Sequence, residues 1–128
     1  MSAQPKLASI SLAISVACGA FGAHALRDSI SPGDLAIWEK AVLYQMVHSL
    51  GALILSITPH PALQSRRTHV CASLLLISTL IFSGSLYLLV LLQQRWLGAI
   101  TPLGGTGFIV AWLLLALQFG AQQRRGAE

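Results

Sequence analysis

His48 is a titratable imidazole placed in the middle of an apolar run, within Tyr44-Gln45-Met46-Val47-His48. If that run crosses a bilayer, His48 and Gln45 sit in hydrocarbon. Polar side chains there face a protein interior and mark either packing polarity or a functional site. Haem held by two histidines needs both at one depth on facing helices. His24 lies roughly 12 Å nearer one membrane face at a rise of about 1.5 Å per residue, so bis-histidine haem is not expected. Proton-coupled transport usually places Asp or Glu at mid-membrane, whereas Asp28, Asp34, Glu39 and Glu128 all fall outside the span centres. His48 alone could relay a proton. No nucleophile–base pair, phosphate loop or metal-ligand spacing accompanies it. No cofactor, no metal site and no enzymatic activity are therefore expected.

Other polar residues gather near the same depth. Tyr44 and Gln45 lie slightly outward of His48, and Ser83, Ser85 and Tyr87 lie outward of the centre of a later apolar run. Helical spacing places Ala41, Tyr44, His48 and Gly51 on one face, with Gln45 beside it. His24 and Arg27 share a face at the outer end of the first run, and Glu39 enters the same zone as a partner for Arg27. Thr101-Pro102-Leu103-Gly104-Gly105-Thr106-Gly107 offers bare amides and a positive dipole end. With His24 and Arg27 it could hold a carboxylate or phosphate, or Gly104 and Gly105 merely permit close helix contact. The whole set reads in one of two ways. It is a packing cluster of interhelical hydrogen bonds, each contributing about 0.6 kcal/mol, or a small outward-facing pocket for a ligand, ion or lipid headgroup.

The elements that must position these residues follow from composition. Hydrophobic residues make up 55% of the 128 and charged ones 9%, against about 25% charged in soluble domains. So few charges cannot coat a water-soluble surface. The net charge of +4 does not point to nucleic acid, because the basic residues stand in ones and twos at the ends of apolar runs, where they meet anionic headgroups. Four such runs, 7–26, 37–57, 70–92 and 103–121, each approach the roughly 20 residues needed to cross a hydrocarbon core. The expected fold is an all-α membrane protein, a single four-span transmembrane domain over residues 1–128 forming a bundle of four transmembrane helices.

Turn chemistry separates the runs. Ser31-Pro32-Gly33-Asp34 reads as a capping box with Ser31 at N-cap and Pro32 at N1, so the second helix starts before its embedded part. Pro59-His60-Pro61 stops it. Thr101-Pro102 reads as the N-cap and N1 of the fourth helix. Lys6, an apolar run and Ala23-His24-Ala25 imitate a cleavable signal. That run is long for a signal, and Ser11, Ser15, Gly19 and Ala23 repeat every four residues as a packing stripe, so it is read as a retained helix. Lys6, Arg66, Arg67, Arg124 and Arg125 flank one side, against Arg27, Lys40 and Arg95 on the other. The excess places both termini in the cytoplasm, with Trp38 and Trp96 as belt aromatics at the outer interface. His60 and His69 then flank a cytoplasmic loop and are solvated. Cys18 and Cys71 differ in depth too much to pair and read as small packing residues.

Four segments in order carry a resemblance: Gly19-Ala20-Phe21-Gly22-Ala23-His24-Ala25-Leu26; Tyr44-Gln45-x-x-His48; Phe82-Ser83-Gly84-Ser85-Leu86-Tyr87; and Thr101-Pro102-x-Gly104-Gly105 followed by Phe108 and Trp112. Together they resemble the YgdD-like small membrane proteins, domain of unknown function 423, to which eukaryotic transmembrane protein 256 is related. Ala111 departs from the glycine that precedes the tryptophan in relatives, a mild change. The resemblance implies an integral protein of the bacterial inner (plasma) membrane and no particular activity. The functional expectation is a non-enzymatic structural, accessory or lipid- or partner-binding bundle with a polar cluster in its outer half. The alternative is a small transporter or channel-like subunit with His48 and Gln45 lining a polar path. The lipid bilayer is the expected partner, with a second copy of the chain or another membrane protein as further candidates and nucleic acid excluded.

Overall fold

A computed structural model describes residues 3–127; Glu128 lies outside them. Four long helices account for nearly all of this stretch. Helix α1 (Gln4–Phe21) runs on through a single π-turn, Gly22–Leu26. Helix α2 spans Pro32–Ile57, α3 spans Arg66–Leu92 and α4 spans Thr101–Gly126. Short links carry 3-10 turns at Pro61–Leu63 and Arg95–Ala99. All four helices are long and apolar enough to cross a membrane.

The helix boundaries have identifiable causes. Ser31 caps α2 by accepting a hydrogen bond from the Asp34 amide at 3.1 Å, with Pro32 in the first turn. The helix ends at Ile57, ahead of Pro59 and Pro61, whose rings cannot continue it. Ser65 caps α3 through the Thr68 amide at 3.2 Å. The expected cap at Thr101 is corrected: Ile100 occupies the N-cap without a side-chain bond, and Thr101 is the first helical residue. Its hydroxyl is instead engaged with Ser85 at 2.7 Å across the α3–α4 contact.

Helix α3 packs along both α2 and α4, and α1 docks on α2. The short links bring α1's start, the α2–α3 link and α4's end together at one end of the bundle, hereafter the terminal end. There Gln4 donates to the His69 carbonyl and Gln118 to the Ala62 carbonyl. At the opposite end, Arg95 and Gln93 converge on Asp34.

Residue size is inverted relative to a soluble bundle. The helix contacts are lined by Ala8, Ala41, Ala52, Ala72 and Ala111 beside large residues such as Leu75 and Phe108, while Leu43, Leu50, Ile54, Leu80, Leu103 and Leu117 point outward. In lipid, large apolar side chains gain nothing by turning inward, and association depends on close backbone approach. Gly104 shows how close that approach is. A methyl there would come within 2.6 Å of the Phe82 amide nitrogen and 2.8 Å of the Ser78 carbonyl oxygen. One apolar cluster, including Leu75, Phe108 and Leu115, fills the terminal half, and a second, built on Leu26, Trp38, Leu89 and Leu97, fills the other. The buried polar residues lie largely between the two.

Candidate functional site

Helix α2 presents two different polar sides to its neighbours. On the first, Gln45 is nearly buried and fully engaged. Its Oε1 accepts from the Tyr87 hydroxyl of α3 at 2.7 Å. Its Nε2 donates to the Ser11 carbonyl of α1 at 3.0 Å, with the Ser11 hydroxyl 3.3 Å away. Ser11 and Ser49 share a further hydroxyl bond at 2.7 Å. One carboxamide thus ties three helices together, and the small residues of α1 let it do so. Ser11 and Ser15 leave room for the contact, and a methyl on Gly19 would only just touch Val42, at 3.4 Å. Ala23, the last member of that stripe, is exposed.

On the second side, His48 stacks on Phe108 of α4, with ring centroids 3.6 Å apart and planes 14° from parallel. Its Nδ1 lies 2.8 Å from the Tyr44 carbonyl oxygen one turn earlier. A carbonyl only accepts, so Nδ1 carries the proton and a neutral ring presents Nε2 as an acceptor. Tyr44, Phe82 and Trp112 complete an aromatic slot, the Tyr44 and Phe82 rings lying 4.4 Å apart. Gly51 makes room for it, since a methyl there would lie 2.8 Å from the Trp112 ring.

The remaining expected residues divide sharply. Ser83 is buried and donates to the Ala41 carbonyl at 2.7 Å, joining α3 to α2. Ser85 and Thr101 pair with each other, and Gly104 sits at the tight crossing of α3 and α4, with Gly105 against the Phe82 ring. His24, Arg27 and Glu39 are exposed and do not join the cluster. Arg27 and Glu39 form no ion pair; Arg95 and Asp34 do, at 2.8 Å. Trp38, expected in the interfacial belt, is buried instead. Its indole N–H donates to the Cys18 carbonyl at 2.8 Å, and the ring occupies the space left by Gly22, where a methyl would approach to 2.6 Å. Trp38 also tilts against Tyr87 at 4.6 Å, which holds the phenol over Gln45. Trp96 is exposed. His60 and His69 are exposed, but both are engaged, His60 with the Ala62 amide and His69 with Gln4. Both cysteines are free.

A groove of about 430 Å³ opens sideways between α1 and α3, with α2 as its floor. Ile10, Ile14, Ile77 and Leu80 form walls, and Gln45 and Tyr87 lie at the base. It exists because α1 meets α3 mainly at the terminal end, where Gln4 bonds the Ser73 hydroxyl and His69. The hydrogen-bonding groups at the base are already paired within the protein. The hydroxyl pair Ser11–Ser49 has no base beside it, because the His48 ring packs toward α4. Among the described residues no group of three or more His, Cys, Asp or Glu could hold a metal ion. The arrangement is suited to packing and to holding an apolar guest.

Comparison with known proteins agrees with a membrane setting. Residues 18–105 match the family model "Protein of unknown function (DUF423)". The chain is similar to a UPF0382 membrane protein of Staphylococcus epidermidis, 44% identical over 87% of this chain and 89% of that protein. It is similar to a UPF0382 membrane protein of Staphylococcus haemolyticus, 46% identical over 81% and 84%. The UPF0382 membrane protein YwdK of Bacillus subtilis is 36% identical over 87% and 90%. No solved structure matches the chain.

Proposed function

The chain belongs to the DUF423 family of integral plasma-membrane proteins, and we propose that it is a non-enzymatic lipid-binding bundle whose lateral groove holds one hydrocarbon chain of a membrane lipid. One observation carries this reading: the groove between α1 and α3 is walled by apolar side chains and opens to the side, where lipid tails are the solvent. A polar ligand would find no unpaired partner at its base, since Gln45 is spent on Tyr87 and Ser11. The transporter reading draws less support. Gln45 turns to the groove and His48 to α4, so the two do not line one path.

Gly84 supplies the test. It borders the groove, and a methyl added there meets nothing within 4 Å. Gly84→Leu fills the groove while gaining about 0.8 kcal/mol of helix propensity. Native mass spectrometry of protein released from membranes should find one lipid fewer retained on Gly84→Leu than on the wild type. Equal retention by both, or none by either, would overturn the proposal.

A further inference from the structure

The terminal end of the bundle carries positive charge that no carboxylate among the described residues answers. Arg66 and Arg67 begin α3, and Arg125 stands in the last turn of α4. All three border a cavity of about 370 Å³, together with Ser65, Gln118 and Gln122. The cavity floor is held firmly. Gln118 is buried; its Nε2 donates to the Ala62 carbonyl at 2.6 Å and the Thr68 hydroxyl at 2.9 Å, and its Oε1 accepts from Ser65 at 3.0 Å. Gln122 donates to the same Ala62 carbonyl at 3.1 Å. Among the described residues the carboxylates are Asp28, Asp34 and Glu39, all toward the opposite end, and the only ion pair is the one between Arg95 and Asp34.

Guanidiniums gathered from two helices around one cavity repel one another, and an anion held between them turns that repulsion into attraction. At this depth the helix ends meet the headgroup layer, where the abundant anion is a phosphodiester. Arginine forks match phosphate oxygens in pairs, and basic pockets between transmembrane helices are a recurrent way of holding anionic headgroups. We propose that Arg66, Arg67 and Arg125 form a binding site for the phosphate headgroup of an anionic phospholipid. The site lies between α3 and α4, away from the α1–α3 groove, so it stands or falls separately from the chain-binding reading.

The test uses the full chain in phosphatidylcholine nanodiscs with and without phosphatidylglycerol, reading bound lipid by native mass spectrometry. Phosphatidylglycerol should be retained in preference to phosphatidylcholine. Arg67→Gln and Arg125→Gln should each weaken that retention roughly fivefold. Arg67→Lys and Arg125→Lys should recover part of it, which separates lost charge from lost folding. Arg124→Gln, outside the cavity, and Arg27→Gln, at the far end, should behave as wild type. An equal loss in Arg124→Gln, or no preference for the anionic lipid, would overturn the site. Displacement of the lipid by inorganic phosphate alone would overturn the lipid assignment and give the cavity to a soluble anion.

Discussion

Gln45 and His48 stand three residues apart on α2, in the same apolar surroundings, yet the protein accommodates them by different means. Around Gln45 the solution is exchange: every polar atom of the carboxamide is met by a group from another helix. Around His48 it is enclosure: one ring nitrogen is met within the same helix, and the ring itself is used as an aromatic plate against Phe108. The first side depends on polarity and tolerates a groove beside it. The second depends on shape and fills the space between α2 and α4. An intramembrane polar residue therefore need not mark a path. What its neighbours supply decides whether it acts as a donor or as a surface.

Substitutions that separate polarity from shape put this contrast at risk. The largest effect is expected on the shape side. His48→Ala removes the plate facing Phe108 and should cost about 3 kcal/mol in reversible unfolding in detergent; a cost under about 1 kcal/mol would mean that the rings do not carry the α2–α4 contact. Gly104→Ala drives a methyl into the α3 backbone and should cost about 2 kcal/mol. It should leave the Tyr87–Gln45 coupling unchanged when a double-mutant cycle is repeated in that background. On the polarity side, Gln45→Leu keeps a similar size but removes the acceptor of the Tyr87 hydroxyl and should cost about 1.5 kcal/mol. A cycle with Tyr87→Phe should return a coupling between about 0.6 and 1.7 kcal/mol, and zero coupling would end the exchange description. The smallest effect is reserved for His48→Phe, which keeps the plate and drops a bond to a carbonyl the helix already uses. Stability should change by less than about 0.5 kcal/mol. A loss matching that of His48→Ala would show that the nitrogens matter, and His48 would return as a functional imidazole.

The spans themselves were legible because apolar runs of this length have one use. The helices extend past the apolar limits, to Gln4, Arg66 and Gly126, since a helix does not end where hydrocarbon does. The Ser31 cap was equally readable, being a local bond between neighbours. The burial of Gln45 and His48 was readable too, but not the helix each would face, because that depends on the order in which helices pack. Thr101 looked like a cap by type and position; Ser85, sixteen residues away in sequence, claimed its hydroxyl. Residue type and position at a span end point Trp38 to an interface. Its pairing with Gly22 is a long-range fit of a large ring to a missing side chain, and the glycine in Phe21-Gly22-Ala23 was the only trace of it. The Ser11–Ser49 bond is not legible in the sequence, because small residues in a stripe look alike until a partner is placed against one of them.

His24 and Arg27 illustrate a different limit: both are exposed where the helix runs on through the π-turn at Gly22–Leu26. A turn that closes i to i+5 contains one more residue than an α-turn needs. Positions beyond it are rotated relative to the phase set by α1. The same surplus gives the helix a unit of slack. Shortening the chain by Ala23 would let the turn revert to ordinary α pitch, while Trp38 stays clasped to the Cys18 carbonyl before it. A deletion taken up in this turn would leave both the Trp38–Cys18 bond and the Gln45 contacts below it in place.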